Sequence, residues 1–182
     1  MRTLTALFVS GFASAVLAGS ATAQKMTPMG MGEGGSPHVK TEWTIGGAHI
    51  AITYGRPYLK GRAESNMMPA GQPWRTGADE ATVITSDKSL TFGKVTLPAG
   101  SYTINTKPGD KEWLLLLGTL KSAGQWGVPY VPALEIGRVP MVLARTVLVE
   151  QVTFSIDKTD SGATLRIEWG TVSVSAPFTI GS

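Results

Sequence analysis

The sequence contains no cysteine. That single absence removes disulfides, thiolate nucleophiles and cysteine-based zinc sites, and leaves stability to packing. Histidine is nearly missing too, with only His38 and His49 present. No Ser-His-Asp arrangement is readable from so few, and neither a metal-ligand spacing nor a phosphate-cradling glycine motif occurs. The sequence therefore assigns no catalytic residue, no metal ligand and no cofactor, and reads more as a non-enzyme than as an enzyme. Charge is sparse at 16% of residues, with a formal net charge of +3. The basic residues form no cluster and no basic helix, which argues against a nucleic-acid partner. A sustained helical period is lacking, and so is any internal repeat.

What is present begins with a tripartite amino terminus. Arg2 is followed by an apolar stretch from Leu4 to Leu17 and then by the small residues Ala18-Gly19-Ser20-Ala21-Thr22-Ala23. This pattern predicts a signal peptide over residues 1–23, cleaved before Gln24. The apolar run is shorter than the roughly 20 residues a spanning helix needs. The expected product is exported, periplasmic or extracellular, with no stable membrane insertion after cleavage. Residues 24–39 hold Met26, Met29, Met31 and His38 among Gly, Pro and Ser. Thioether and imidazole groups suit copper, but regular ligand spacing is missing. This segment reads as a flexible tail.

From Trp43 the apolar residues alternate. Ala48, Ile50, Ile52 and Tyr54 follow the turn signal Gly46-Gly47. A strand is expected from Leu90 to Leu97, then a turn at Pro98-Ala99-Gly100 and a return strand through Tyr102 and Ile104. Trp113 to Leu117 reads as a strand buried on both faces. The stretch from Gly118 to Arg145 is rich in Gly and Pro, and Gly137 with Pro140 excludes a long helix there. Toward the carboxyl end, two strands are expected on either side of a Gly170-Thr171 turn. Pro177 marks the last as an edge strand. The expectation is one all-β domain over residues 40–182, an antiparallel β-sandwich of about eight strands.

The exception is Gly55 to about Glu80, which shows no period and is long for a connection in a compact domain. It carries Tyr58, Leu59 and Trp74 among its charges, so it reads as an ordered loop. The candidate ligand-binding residues are Tyr54, Arg56, Lys60, Arg62, Trp74, Arg75, Asp79 and Glu80. Guanidinium groups bind carboxylate or phosphate in a bidentate way, and an aromatic face suits a sugar ring. A saccharide or small anionic ligand is the partner this composition points to. Two other readings stand beside it. In one, the arginines pair with Asp79 and Glu80 and only pin the loop. In the other, Glu64 joins Asp79 or Glu80 as the acid and base of a glycoside- or ester-type hydrolase. Asp79 and Glu80 are adjacent, so on a strand they would face opposite ways and share no substrate.

Two long motifs carry a resemblance. Tyr54-Gly55-Arg56-Pro57-Tyr58-Leu59-Lys60-Gly61-Arg62 and Trp74-Arg75-Thr76-Gly77-Ala78-Asp79-Glu80-Ala81-Thr82 resemble motifs of the bacterial family of unknown function DUF 2911. Leu97 to Tyr102, Glu112-Trp113, Gln125-Trp126-Gly127 and the Leu165–Phe178 hairpin extend the resemblance over nearly all of the chain after residue 23. It implies an exported, all-β protein and no established activity. One departure stands out: the family usually has Asn where this chain has Asp79, which adds a negative charge.

Overall fold

The structure, a computed structural model, describes residues 24–120 and 130–182. The leader read over residues 1–23 and the Gln125-Trp126-Gly127 motif lie outside the described residues. The strands are β1 (Gln24–Met31), β2 (Pro37–Ile45), β3 (Ala48–Gly55), β4 (Thr82–Ser86), β5 (Leu90–Phe92), β6 (Val95–Leu97), β7 (Gly100–Lys107), β8 (Trp113–Thr119), β9 (Glu135–Thr159) and β10 (Gly162–Ile180). All pair antiparallel, in the order β1-β2-β3-β4-β7-β8-β9-β10-β5-β6. The single α-helical turn among the described residues, α1 (Glu64–Met67), lies in the long loop.

The all-β expectation is met by one continuous hydrogen-bonded order. That order does not lie flat. Tyr54 on β3 and Phe154 on β9 are four strand positions apart. At the usual spacing a flat sheet would separate them by about 19 Å. Their ring centroids are 4.6 Å apart, edge to face. The sheet therefore folds over itself and encloses a core between its halves. Trp43, Ile45, Ile50, Ile52 and Tyr54 from β2 and β3 face Phe154, Ile156, Leu165 and Ile167 in that core, all nearly inaccessible to solvent.

Local sequence explains the best-defined elements. Ile45 pairs with Ala48 across Gly46-Gly47, whose φ values are +57° and +74°. Both central residues of a type I′ hairpin need positive φ, and glycine supplies it without strain. On β8, Leu115, Leu116 and Leu117 are all buried, so both faces of the strand are covered as the unbroken apolar run predicts.

Four readings are corrected. Residues 24–31 form β1, paired with β2 from Gln24↔Trp43 to Met31↔Pro37, where composition predicts a tail. Every residue of β1 is exposed, so backbone pairing to a sheet edge holds it and no apolar period marks it. Leu90 to Leu97 is two strands, since Phe92↔Val95 closes a hairpin. Gly170 makes a bulge within β10 and does not end a strand. β10 is also not an edge: β9 pairs with it as far as Ser175 and β5 from Thr179. Pro177 lies in the gap between these two ladders, where its missing N–H breaks no rung.

Candidate functional site

The loop from Arg56 to Ala81 folds back on the sheet at several points. Leu59 and Met68 enter the core, each 6% exposed. Trp74 exchanges backbone hydrogen bonds with Thr106 of β7, at 2.7 and 2.9 Å. The Leu59 N–H and the Trp169 indole N–H both donate to the Glu150 carbonyl, at 2.7 and 3.2 Å. Positive φ at Lys60, Thr76 and Asp79 turns the chain at three further points. The loop is ordered because its backbone polar groups and its apolar side chains have partners on β7, β9 and β10.

The eight candidate residues divide by what they touch. Tyr54 is core: it is 2% exposed, and its hydroxyl accepts the Phe154 N–H at 3.4 Å. Arg56 is a pin. Its Nε donates to the Val152 carbonyl at 3.0 Å and its Nη2 to Thr153 Oγ1 at 3.1 Å. Arg62 folds onto its own turn, donating from Nε to the Leu59 carbonyl at 3.0 Å and from Nη2 to the Tyr58 carbonyl. Arg75 donates from Nη1 to the Asp79 carbonyl at 2.7 Å. Lys60 stands over the Tyr58 ring, 5.7 Å from its centroid.

The arginines do not pair with the carboxylates of Asp79 and Glu80. Both carboxylates turn instead to His38 at the start of β2. Asp79 Oδ2 is 3.1 Å from Nε2, and Glu80 Oε2 is 3.0 Å from Nδ1. Asp79 Oδ1 also accepts the Gly34 N–H at 3.0 Å. The expectation that these neighbours face opposite ways assumes a strand. Asp79 has φ +61°, a left-handed conformation, and this brings both side chains to one imidazole. Asn and Asp adopt that conformation most readily among residues with a side chain. The position thus suits the Asn usual in the resemblance as well as the Asp found here.

Lys60, Arg62, Trp74 and Arg75 line one open cleft of about 800 Å³, together with Tyr58 and Trp169. Trp74 stacks on the buried Trp169, centroids 5.5 Å apart and planes 12° from parallel. Asp79 closes one end. Lys60, Arg62 and Arg75 form no ion pair among the described residues, so the cleft is cationic beside an aromatic wall. Glu64 does not line it. The Glu64 carboxylate accepts the Thr171 N–H at 2.5 Å and Arg145 Nη1 at 3.2 Å. Of the carboxylates in the hydrolase reading, only that of Asp79 is on a residue lining this cleft.

Sequence reasoning weighed His38 only with the methionines of the tail and did not join it to Asp79 and Glu80, and it missed Trp169. His38 sits 41 residues from Asp79 along the chain, and nothing local marks the contact. Trp169 reads as one more buried residue of an alternating strand.

A folded-over antiparallel sheet, one long pinned loop and a cationic cleft beneath it define the class of domain. The chain belongs to the family described as protein of unknown function (DUF2911), whose model matches residues 36–178. That span takes in His38, the loop and the cleft. No curated protein and no solved structure gives a significant match.

Proposed function

We propose that this chain is an exported binding module of the cell envelope whose cleft holds a small anion bearing a ring, such as an acidic saccharide. The observation that carries this reading is the trio Lys60, Arg62 and Arg75, unpaired with any carboxylate among the described residues, beside Trp74. The structural reading requires the arginines to pair with Asp79 and Glu80. Here the carboxylates of Asp79 and Glu80 turn to His38, and that of Glu150 takes the Lys60 backbone N–H. Arg56 and Tyr54 hold the frame, and the three remaining cations line the cleft, Arg62 and Arg75 being set there by bonds to backbone carbonyls. A guanidinium fork binds a carboxylate, and an indole offers an apolar surface to a sugar ring. The signal-peptide pattern of residues 1–23 supports an envelope address.

A thermal-shift screen of the purified protein with acidic sugars, neutral sugars and inorganic anions tests the reading. A ligand that binds only the folded state raises its melting temperature. The expected result is a shift with an acidic sugar that is absent in a folded Arg75→Ala variant. No shift with any compound, together with a much lower melting temperature for Arg75→Ala alone, returns the loop to a purely structural role.

A further inference from the structure

His38, Asp79 and Glu80 lie together where the end of the loop meets the start of β2. One ligand atom from each falls within 4.8 Å of the others. In their side chains Asp79 is 8%, His38 14% and Glu80 35% exposed. A second hollow of about 400 Å³ opens beside them, lined by Met29, His38, Tyr54 and Glu80.

Two features do not fit a closed structural network. The first is Glu80 Oε2, which is buried from solvent and makes no hydrogen bond. His38 Nδ1 is 3.0 Å away, close enough for an ion pair but out of line for a hydrogen bond. A buried carboxylate oxygen with no donor is costly. The second is the imidazole itself. A neutral ring has one N–H to donate, yet both nitrogens face carboxylate oxygens. One of those contacts sets lone pair against lone pair unless a further positive charge is present.

The backbone is shaped around the same group. A Cβ placed at Gly32 would sit 2.1 Å from Asp79 Oδ2 and 2.5 Å from His38 Nε2. At Gly55 it would meet His38 Nε2 at 2.9 Å. Only glycine lets the chain approach so closely.

We propose that His38, Asp79 and Glu80 bind a divalent first-row transition cation. One imidazole nitrogen and two carboxylate oxygens suit Zn²⁺ and its neighbours better than a thiolate-loving ion, or Ca²⁺ with its all-oxygen shell. The ion supplies the missing positive charge and gives Glu80 Oε2 its partner. Three protein ligands leave one position of a tetrahedral ion free, and the hollow beside Met29 and Glu80 gives access to it. Asp79 is shared with the cationic cleft, but His38 and Glu80 do not line it, so the Zn²⁺ titration reads this site without any cleft ligand present.

The test is calorimetric titration of the full chain, expressed without an affinity tag, with Zn²⁺ and in parallel with Mg²⁺. The expected result is saturation at one Zn²⁺ per chain, reversed by a chelator, with no comparable Mg²⁺ binding. Glu80→Gln and Asp79→Asn should each lower the Zn²⁺ affinity by about 10-fold or more. His49→Ala, which removes the other histidine, should leave it unchanged. Circular dichroism of Glu80→Gln and Asp79→Asn guards against loss of fold, since both keep side-chain size and Asn suits positive φ. Absence of saturable Zn²⁺ binding by the wild type overturns the proposal. So does wild-type affinity in both folded variants, which would leave His38 as an imidazolium held between two carboxylates.

Discussion

Trp74 of the loop lies nearly parallel to Trp169 of β10, with ring centroids 5.5 Å apart. Trp169 is 2% exposed and fixed by its indole N–H to the Glu150 carbonyl. The stack therefore ties a segment with little secondary structure of its own to the most buried part of the sheet. It also sets the wall of the cleft.

Replacing Trp74 by Leu should cost about 1–3 kcal/mol, because an aromatic pair contributes beyond its buried area and the truncation adds to it. Urea unfolding followed by circular dichroism should show a lower midpoint with an unchanged slope. Trp74→Phe, which keeps an aromatic face, should recover part of the loss.

Glu64 links the loop to the β10 bulge at Thr171. Burial is the largest single influence on its carboxyl and opposes ionisation. The Thr171 N–H and O–H and the Arg145 guanidinium together outweigh it and hold the pKa below the ordinary value of 4.5. A carboxyl whose pKa is lower folded than unfolded stabilises the protein above the unfolded value. That contribution is lost as pH falls through the folded value. Glu64→Gln should therefore cost about 1 kcal/mol at neutral pH. The gap between wild type and variant should close in acid, below the ordinary Glu range. Denaturant unfolding at a series of pH values measures it.

These contacts also show what a sequence displays and what it hides. The β2–β3 hairpin is legible because alternation and Gly46-Gly47 are local signals for a local structure. β1 is not, because an exposed edge strand is held by backbone groups that every residue carries. Gly170 and Gly93 carry the same residue type, yet one makes a bulge and the other a hairpin turn. Pairing with β9 decides that difference, and it comes from elsewhere in the chain. The cleft was half legible: Trp74, Arg75, Lys60 and Arg62 stand in one loop, so proximity in sequence announced proximity in space. Arg56 stands in the same loop and points into β9. The His38 contacts with Asp79 and Glu80 join segments about forty residues apart, and only the folded sheet brings them together.

Arg56 and Lys60 should separate cleanly on substitution. Arg56→Ala leaves the Val152 carbonyl and Thr153 hydroxyl without their donor in a half-buried site, a loss of about 1–3 kcal/mol. Lys60 offers its side chain only to solvent and the Tyr58 ring, and its hydrogen bond to Glu150 uses the backbone N–H. Lys60→Ala should stay within about 0.5 kcal/mol of wild type. Paired thermal unfolding curves decide it, and equal losses for both would mean that Lys60 is also part of the frame.

Asp79 combines a backbone demand with a side-chain demand, and two substitutions take them apart. Asn keeps a short polar side chain compatible with φ +61° and can still accept the Gly34 N–H. Asp79→Asn should fold with stability within about 1 kcal/mol of wild type in metal-free buffer. Val keeps similar bulk but is branched at Cβ, and it should lose about 1–2 kcal/mol for the left-handed conformation alone, with the lost Gly34 bond in addition. If Asp79→Asn instead falls as far as Asp79→Val, the negative charge facing His38 matters more to the fold than the conformation does. The loop would then be held at that end mainly by its contact with the imidazole, and the departure from Asn would be a structural feature of this chain.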